Sequence, residues 1–201
     1  MIAIIDYGAG NLFSVRNALT YIGEKHVITN DMDEIKKADS YILPGVGAFP
    51  FAMEMLAKTN LIDEIKEQVK TKPILGICLG MQMLFEESYE FRRAEGLGLI
   101  PGKVDAIPDT GLKIPHMGWN ALNIHDKSNP LLQGLSDGDC VYFVHSYMAF
   151  TPEENITASV DYGVAVPALA TKGNIYGAQF HPEKSGETGL TILRNFGGLT
   201  K

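Results

Sequence analysis

Two patterns of apolar and polar positions alternate along the first half of the chain. Short apolar runs rich in β-branched residues predict buried strands, and apolar side chains at every third or fourth position predict amphipathic helices. The predicted strands are 2–6, 26–29, 40–43 and 73–77. The predicted helices run from a cap at Asn11 to a stop at Gly23, and over 51–58, 61–70 and 79–88. This order predicts an α/β fold with an open, mixed, mostly parallel sheet and helices on both faces.

The pattern changes after residue 95, where glycine, proline and short strand-like runs predominate. We expect the runs at 97–107, 139–148, 156–163 and 174–180 to extend the same sheet, partly antiparallel, or to form a small side layer. A last helix is predicted at about 187–196. Because no internal repeat or low-complexity linker separates the two patterns, we expect residues 1–201 to form one domain.

The charge balance narrows the class of partner. The chain carries a net charge of −7 and has no basic stripe, so we expect neither nucleic acid nor a membrane surface as a partner. No apolar run reaches the roughly 18–20 residues that cross a bilayer, and the apolar start meets Asp6 too early for a signal peptide. We therefore expect a cytoplasmic protein.

The two cysteines, Cys78 and Cys140, are not expected to form a disulfide in a reducing compartment. Their wide separation, without paired histidines nearby, also predicts no metal site, and we expect no cofactor. Cys140 alternates with Tyr142 and Val144 along an apolar run, so we expect Cys140 to lie in the core.

A cysteine bracketed by glycines, GICLG at 76–80, ends one predicted strand and precedes a predicted helix. This is the form of a nucleophile elbow with cysteine in place of serine, where Gly76 and Gly80 permit the sharp backbone turn. The amide dipoles of the following helix would favour the thiolate of Cys78. Taken alone, the motif fits a small core cysteine equally well.

A cysteine nucleophile needs a base, and the base needs an orienting group. His181 ends the apolar run 174–180. Glu183 lies two residues further on, where its carboxylate can reach the imidazole nitrogen that faces away from sulfur. A capping histidine beside a solvated glutamate is the structural alternative.

Backbone amides can form the oxyanion hole that acyl transfer requires. The amide of Leu79 is one candidate, and the Val46–Gly47 peptide in PGVGAF (44–49) is the other. Both motifs, and FHPE (180–183), fall at predicted strand ends, where ligands bind in parallel sheets. On its own, PGVGAF is typical of a glycine turn.

Six motifs in order along the chain carry a family resemblance. They are DYGAGN (6–11), PGVGAFPFAM (44–53), GICLGMQMLFEES (76–88), IPHMGWN (114–120), YFVHSY (142–147) and AQFHPEKSG (178–186). The chain resembles the class I, triad-type glutamine amidotransferases, which have a flavodoxin-like fold. More narrowly, it is similar to the glutaminase subunits of imidazole glycerol phosphate synthases, because PHMGWN and VHSY are not general signatures of the class.

The resemblance implies a glutaminase reaction. Cys78 would attack the side-chain amide of glutamine and form a γ-glutamyl thioester, while His181 protonates the departing ammonia and then activates water. Glu183 would orient His181. The residues that help to hold glutamine in this family correspond to Gln82, His145, Ser146 and Tyr147. A histidine at a strand end, such as His145, is also often structural.

The resemblance also implies a partner. Ammonia would pass, sheltered from water, to a (β/α)8-barrel cyclase subunit in a heterodimer that makes imidazole glycerol phosphate and aminoimidazole carboxamide ribotide for histidine biosynthesis. The two G-x-G stretches of this chain lack the third glycine of a dinucleotide fingerprint, so we expect the phosphorylated substrate to bind elsewhere. The expected interface residues are Asn11, Met117, Trp119 and Lys184. Trp119, expected in a glycine-rich loop, fits either an interface anchor or a cover over the core.

Three other functions fit parts of the sequence. A glutaminase component of anthranilate or aminodeoxychorismate synthase shares GxCLG and HPE, but PHMGWN and VHSY disfavour it. A self-contained hydrolase of γ-glutamyl peptides would need no partner. A binding subunit without catalysis would require a broken triad, whereas Cys78, His181 and Glu183 are all present.

Overall fold

The computed structural model describes residues 1–200, in which the strands are numbered β1 to β14 in chain order. Eight of these strands form the main sheet. Five of them run parallel: β1 (Ile2–Ile5), β2 (His26–Thr29), β3 (Ser40–Gly45), β4 (Ile74–Cys78) and β14 (Ile175–Ala178). Three antiparallel strands extend one edge: β9 (Asn123–Ile124), β12 (Ile156–Asp161) and β13 (Ala165–Lys172). The spatial order β2-β1-β3-β4-β14-β13-β12-β9 confirms the predicted mixed, mostly parallel sheet and places β4 between β3 and β14.

Helices cover both faces of this sheet, as predicted. They are α1 (Leu12–Tyr21), α2 (Met32–Lys37), α3 (Phe49–Lys58), α4 (Ile62–Gln68), α5 (Leu79–Met83) and α6 (Gly186–Gly198). α1 and α6 pack in one core, and α2 to α5 pack in the other. β1 supplies Ile2 and Ile4 to the first core and Ala3 and Ile5 to the second, which explains why that strand is apolar throughout. None of the helices within residues 1–200 is long and apolar enough to cross a membrane.

Two smaller sheets lie beside the main one. One contains β5 (Glu87–Ser88), β6 (Ala94–Glu95), β7 (Lys103–Ala106) and β11 (Tyr147–Phe150), and the other pairs β8 (His116–Ala121) with β10 (Cys140–His145). Single turns of 3₁₀ helix occupy Pro130–Leu132, Glu153–Asn155 and Pro182–Lys184. Both arrangements expected for the second half of the chain, an extended sheet and side layers, therefore occur.

The predicted helix 79–88 is wrong in its second half. α5 ends at Met83, and Glu87–Ser88 form a strand. The carbonyl of Met83, which a longer helix would use internally, accepts a hydrogen bond from the amide of Leu97 at 2.8 Å. A segment that returns from later in the chain thus ends the helix, and local periodicity does not reveal such a contact.

The prediction that Cys140 lies in the core is also wrong, because its side chain is exposed. The expected alternation along β10 is present, but Val141 and Phe143 are the buried residues. The core therefore packs against the opposite face of the strand.

Three elements give too weak a local signal to be predicted. α2 contributes Ile35 alone to the buried core, β13 contains Pro167, and β8 mixes glycine with polar residues. Trp119 consequently lies on β8 and not on a loop.

Glycines allow β3, β4 and α5 to approach one another closely. A Cβ on Gly80 would lie 1.8 Å from the carbonyl oxygen of Leu43, and a Cβ on Gly76 would lie 2.5 Å from the carbonyl oxygen of Gly80. These separations are far inside van der Waals contact, so a larger residue cannot fit without displacing backbone. The glycines on either side of Cys78 let the chain pass from β4 directly into α5.

We expect Gly80→Ala to lower the free energy of unfolding by about 3 kcal/mol, the upper end of the usual overpacking range, because the obstacle is a backbone carbonyl. Urea unfolding followed by circular dichroism measures the change. Gly198→Ala is the matched control, since a Cβ on that exposed helical glycine would meet no atom within 4 Å. Equal stability of the two variants would contradict the close packing.

Candidate active site

Three motifs meet at one edge of the main sheet. PGVGAF begins with the last two residues of β3, Cys78 ends β4, and His181 lies three residues beyond the end of β14. Because these strands are parallel neighbours, their carboxyl ends are adjacent. The three motifs, which were predicted to fall at strand ends, therefore lie close together.

Cys78 occupies a strained backbone turn. Its φ of 53° and ψ of −111° form a conformation that residues other than glycine seldom adopt, and Cys78 is also the N-cap residue of α5. The thiol lies 3.9 Å from the carbonyl oxygen of Val144, with 8% of the residue exposed. Strain at a strand-to-helix turn is the geometry of a nucleophile elbow, and an ordinary core cysteine does not need it.

His181 lines the same pocket as Cys78, and the two side chains interact electrostatically. Its Nδ1 donates to Oε1 of Glu183 at 2.9 Å, and both side chains are almost fully buried. Burial alone lowers the pKa of His181, but its contacts with Cys78 and Glu183 outweigh burial and raise the pKa to about 9. His181 therefore carries a proton at neutral pH.

A pocket of about 570 Å³ opens over Cys78. It brings together these sequence-predicted residues: Val46, Gly47, Cys78, Leu79, Gln82, His145, Ser146, Tyr147, His181 and Lys184. Glu183 lies behind His181 and contacts it without lining the pocket. The pocket is large enough for a free amino acid, and both polar and apolar residues line it.

Two predicted glutamine contacts meet at the carbonyl oxygen of Tyr147. Gln82 Nε2 donates to this oxygen at 3.0 Å, and His145 Nδ1 donates to it at 2.8 Å. Burial lowers the pKa of His145 to about 4, with its hydrogen bond to Tyr147 opposing that shift, so His145 is neutral. Its other nitrogen, Nε2, lies 2.9 Å from Nδ1 of His116, so both ring nitrogens of His145 are engaged inside the protein.

Glu90 also lines the pocket, and sequence reasoning missed it. Its Oε2 accepts a hydrogen bond from the backbone amide of Phe49 at 2.7 Å, just after the glycine segment 44–48. Burial raises the pKa of Glu90, and the Phe49 amide partly offsets that effect. Nothing in the local sequence YEF (89–91) distinguishes this glutamate from a solvated one.

The four predicted interface residues lie apart from the pocket floor. Met117 and Trp119 are exposed on the same face of β8, and Asn11 caps α1 through a hydrogen bond from the Ser14 amide. Lys184 lies at the exposed rim of the pocket. Across residues 1–200 there is no cluster of three histidine, cysteine, aspartate or glutamate side chains that could bind a metal ion.

Comparison with known proteins identifies close sequence relatives. The family model described as glutamine amidotransferase class-I matches residues 3–198. A protein of Bacillus cereus strain G9842, named imidazole glycerol phosphate synthase subunit HisH, is 54% identical over 202 residues, covering 100% of this chain and 96% of that protein. A protein of the same name from Caldanaerobacter subterraneus subsp. tengcongensis is 54% identical over 203 residues, covering 100% of this chain and 99% of that protein.

Solved structures share the fold at lower sequence identity. A chain from the structure of PurLQS from Thermotoga maritima has a TM-score of 0.76 and 20% identity, covering 100% of this chain and 98% of that chain. A crystal structure described as a glutamine amidotransferase has a TM-score of 0.75 and 17% identity, covering 98% of this chain and 100% of that chain. These two similarities support the fold.

We expect Glu183→Gln to lower the pKa of His181 from about 9, because the substitution removes the buried negative charge beside Nδ1. Histidine side-chain NMR over a pH series measures this pKa directly. The signal of the exposed His125 is the internal reference, since the substitution should leave it unchanged. An unchanged titration of His181 would contradict the role of the carboxylate.

The same pair makes stability depend on pH. Folding raises the pKa of His181 from 6.5 to about 9, so its proton binds more tightly in the folded state. The resulting stabilisation is complete below about pH 6.5 and is lost as the pH rises through about 9. The difference in melting temperature between the wild-type protein and Glu183→Gln should therefore shrink over this range.

Proposed function

The chain belongs to the class I glutamine amidotransferases, and we propose that it is the glutaminase subunit of an imidazole glycerol phosphate synthase in histidine biosynthesis. One observation carries the proposal: Cys78 on its strained turn and His181, whose pKa is raised to about 9, line the same pocket of amino-acid size. Relatives with the synthase-subunit name, 54% identical over the whole chain, supply the specific reaction.

In this proposal Cys78 is the nucleophile of a catalytic triad with His181 and Glu183. The sulfur attacks the carboxamide carbon of glutamine, and the amino group of the tetrahedral intermediate takes the proton of His181 and departs as ammonia. A γ-glutamyl thioester remains. Neutral His181 then removes a proton from water, whose oxygen attacks the thioester, and glutamate leaves as the sulfur becomes a thiolate again.

The proton on His181 supports this sequence of steps. An imidazolium next to the sulfur stabilises a thiolate electrostatically, and it is also the acid that the leaving ammonia requires. Glu183 keeps Nδ1 protonated, so Nε2 is the nitrogen available to exchange a proton with substrate and water. One buried ion pair therefore serves both halves of the reaction.

We assign the oxyanion hole to the amide of Leu79 and to the Val46–Gly47 peptide. Leu79 is the first residue of α5, and all three residues line the pocket. Gly47 has a φ of +99°, which a glycine adopts without strain, and a Cβ there would meet no atom within 4 Å. No Cβ at Gly47 therefore restricts the orientation of this peptide.

We assign glutamine recognition to Gln82, Ser146, Tyr147 and the newly identified Glu90. Both amide hydrogens of Gln82 are used inside the protein, in bonds to Tyr147 and Gln179, so Gln82 can offer glutamine only its oxygen. The carboxylate of Glu90, a buried residue that lines the pocket, suits the α-ammonium group of an amino acid. His145 would act by positioning the Tyr147 carbonyl.

The partner in this proposal is a (β/α)8-barrel cyclase subunit in a heterodimer, which uses ammonia in the lyase half of the reaction. Met117 and Trp119 support an interface beside the pocket, since they are 56% and 55% exposed and large apolar side chains anchor such contacts. Lys184 at the pocket rim and Asn11 at the start of α1 complete the proposed surface. A cytoplasmic location belongs to the same proposal, since a free Cys78 nucleophile requires reducing conditions. So does a single domain over residues 1–201.

The function is tested by glutamate release from glutamine, with and without the cyclase subunit and its nucleotide. We expect slow turnover in isolation and at least tenfold faster turnover in the liganded complex, because loop 44–49 would then present its amide to the oxyanion (a tenfold change corresponds to about 1.4 kcal/mol). Equal turnover in both conditions would instead indicate a self-contained hydrolase.

The Cys78→Ala variant distinguishes a catalytic role of the cysteine from a structural role in the complex. The variant should release no glutamate from glutamine, because the nucleophile is absent, yet its complex should still make imidazole glycerol phosphate from added ammonia. Cys140→Ala is the matched control, since that thiol is exposed and does not line the pocket. Loss of ammonia-dependent synthesis in Cys78→Ala would show that the cysteine is structural.

We expect Glu90→Gln to raise the KM for glutamine about tenfold, because a hydrogen bond to a charged group contributes about 1.5–3 kcal/mol. Steady-state kinetics of the complex measure this change. Glu95→Gln, an exposed substitution of the same type nearby, is the control and should leave KM unchanged. An unaltered KM in Glu90→Gln would exclude the ammonium contact.

A further inference from the structure

The buried amide side chain of Gln179 contacts the sulfur of Cys78 from the protein interior. Its Nε2 is 3.9 Å from Sγ, and the residue is completely buried between Ala178 and Phe180. It does not line the pocket. Because burying an amide costs free energy unless its hydrogen bonds are made, the partners of Gln179 explain its presence in an apolar stretch.

The orientation of the Gln179 amide follows from one backbone carbonyl. The oxygen of Tyr147 can only accept hydrogen bonds, so the group of Gln82 that contacts it at 3.0 Å must be the Nε2 amide. The same nitrogen donates its second hydrogen to Oε1 of Gln179 at 3.0 Å. Gln179 must then turn its own Nε2, a donor, towards Sγ of Cys78.

The carbonyl that sets this orientation is itself held firmly. His145 Nδ1 donates to it at 2.8 Å, and His145 Nε2 lies 2.9 Å from His116. The ring of His116 is stacked between those of Phe143 and Tyr162, with centroid distances of 4.7 and 3.9 Å. The acceptor at Tyr147 therefore has little freedom to turn away from Gln82.

The thiol and the thiolate of Cys78 use different partners. The protonated sulfur can donate to the carbonyl oxygen of Val144 at 3.9 Å, whereas a thiolate has no hydrogen to donate and accepts instead. Gln179 Nε2 is a donor on the buried side of the sulfur, and a hydrogen bond to the charged form favours that form.

We propose that Gln179 is an additional functional residue of the glutaminase. Its Nε2–H, oriented by Gln82 and the Tyr147 carbonyl, stabilises the Cys78 thiolate from the buried side of the sulfur. This inference rests on the proposed function for its biological meaning, but its physical content concerns the sulfur alone. The other titratable groups that act on this sulfur are His181 and Tyr7, and every variant below retains them.

The test is the rate of Cys78 alkylation by iodoacetamide as a function of pH, in full-length protein carrying Cys140→Ser to remove the exposed second thiol. Gln179→Met keeps the length of the side chain and removes the donor. We expect alkylation about tenfold slower at pH 7 and a midpoint about one pH unit higher. Gln179→Glu places a carboxylate against the sulfur and should move the midpoint further in the same direction.

Gln133→Glu is the charge-matched control, because Gln133 is exposed, and its midpoint should equal that of the parent protein. Unchanged midpoints in folded Gln179→Met or Gln179→Glu would overturn the proposal. A second measurement needs no substitution at Gln179: the NMR signals of its side-chain NH₂ group should shift with pH at the alkylation midpoint of Cys78. Signals that stay constant through that midpoint would also overturn it.

Alkylation requires no glutamine turnover, so the two proposals can fail separately. A raised midpoint in Gln179→Met, together with no glutamate release by the parent complex, would contradict the glutaminase function and support the role of Gln179. Glutamate release by the parent complex with an unchanged midpoint would contradict the role of Gln179 alone.

Discussion

The backbone turn at Cys78 is the constraint on which the candidate site depends. A φ of 53° at a residue with a side chain is costly, by about 1–3 kcal/mol, and persists only where the surroundings enforce it. The enforcement comes from Gly76 and Gly80, which let β4 and α5 press against β3 with no room for a Cβ. The buried parallel strands thus supply the free energy that keeps a cysteine exposed to the pocket at the start of a helix.

The two buried histidines that line the pocket have pKa shifts of opposite sign. His145 is buried with a backbone carbonyl and another histidine as partners, and its pKa falls to about 4. His181 is buried with Cys78 and Glu183 as partners, and its pKa rises to about 9. The imidazole of His145 is therefore neutral and structural, whereas that of His181 is protonated and can donate its proton. The difference lies in the charge of the neighbouring groups.

The parts of the site that follow from local sequence were predictable. Glycines around a cysteine at a strand end, and a histidine two residues before a glutamate, each have a physical reason that can be read without a structure. The alternation of strands and helices predicted the parallel sheet, but it did not predict that β14 lies beside β4. Glu90 and Gln179 were not predictable from local pattern, because each acquires its partner from a distant segment: the Phe49 amide for one, and Gln82 and Cys78 for the other. The exposed face of Cys140 and the early end of α5 have the same origin in tertiary contacts.

We propose that Cys78, activated by its turn and by His181, attacks the carboxamide carbon of glutamine. Covalent labelling with a glutamine analogue that carries a diazoketone in place of the carboxamide tests this claim most directly, with the labelled peptide identified by mass spectrometry. We expect a single label, on Cys78, and we expect excess glutamine to slow its formation. Labelling of Cys140 instead, or labelling of Cys78 at a rate that glutamine does not change, would contradict it.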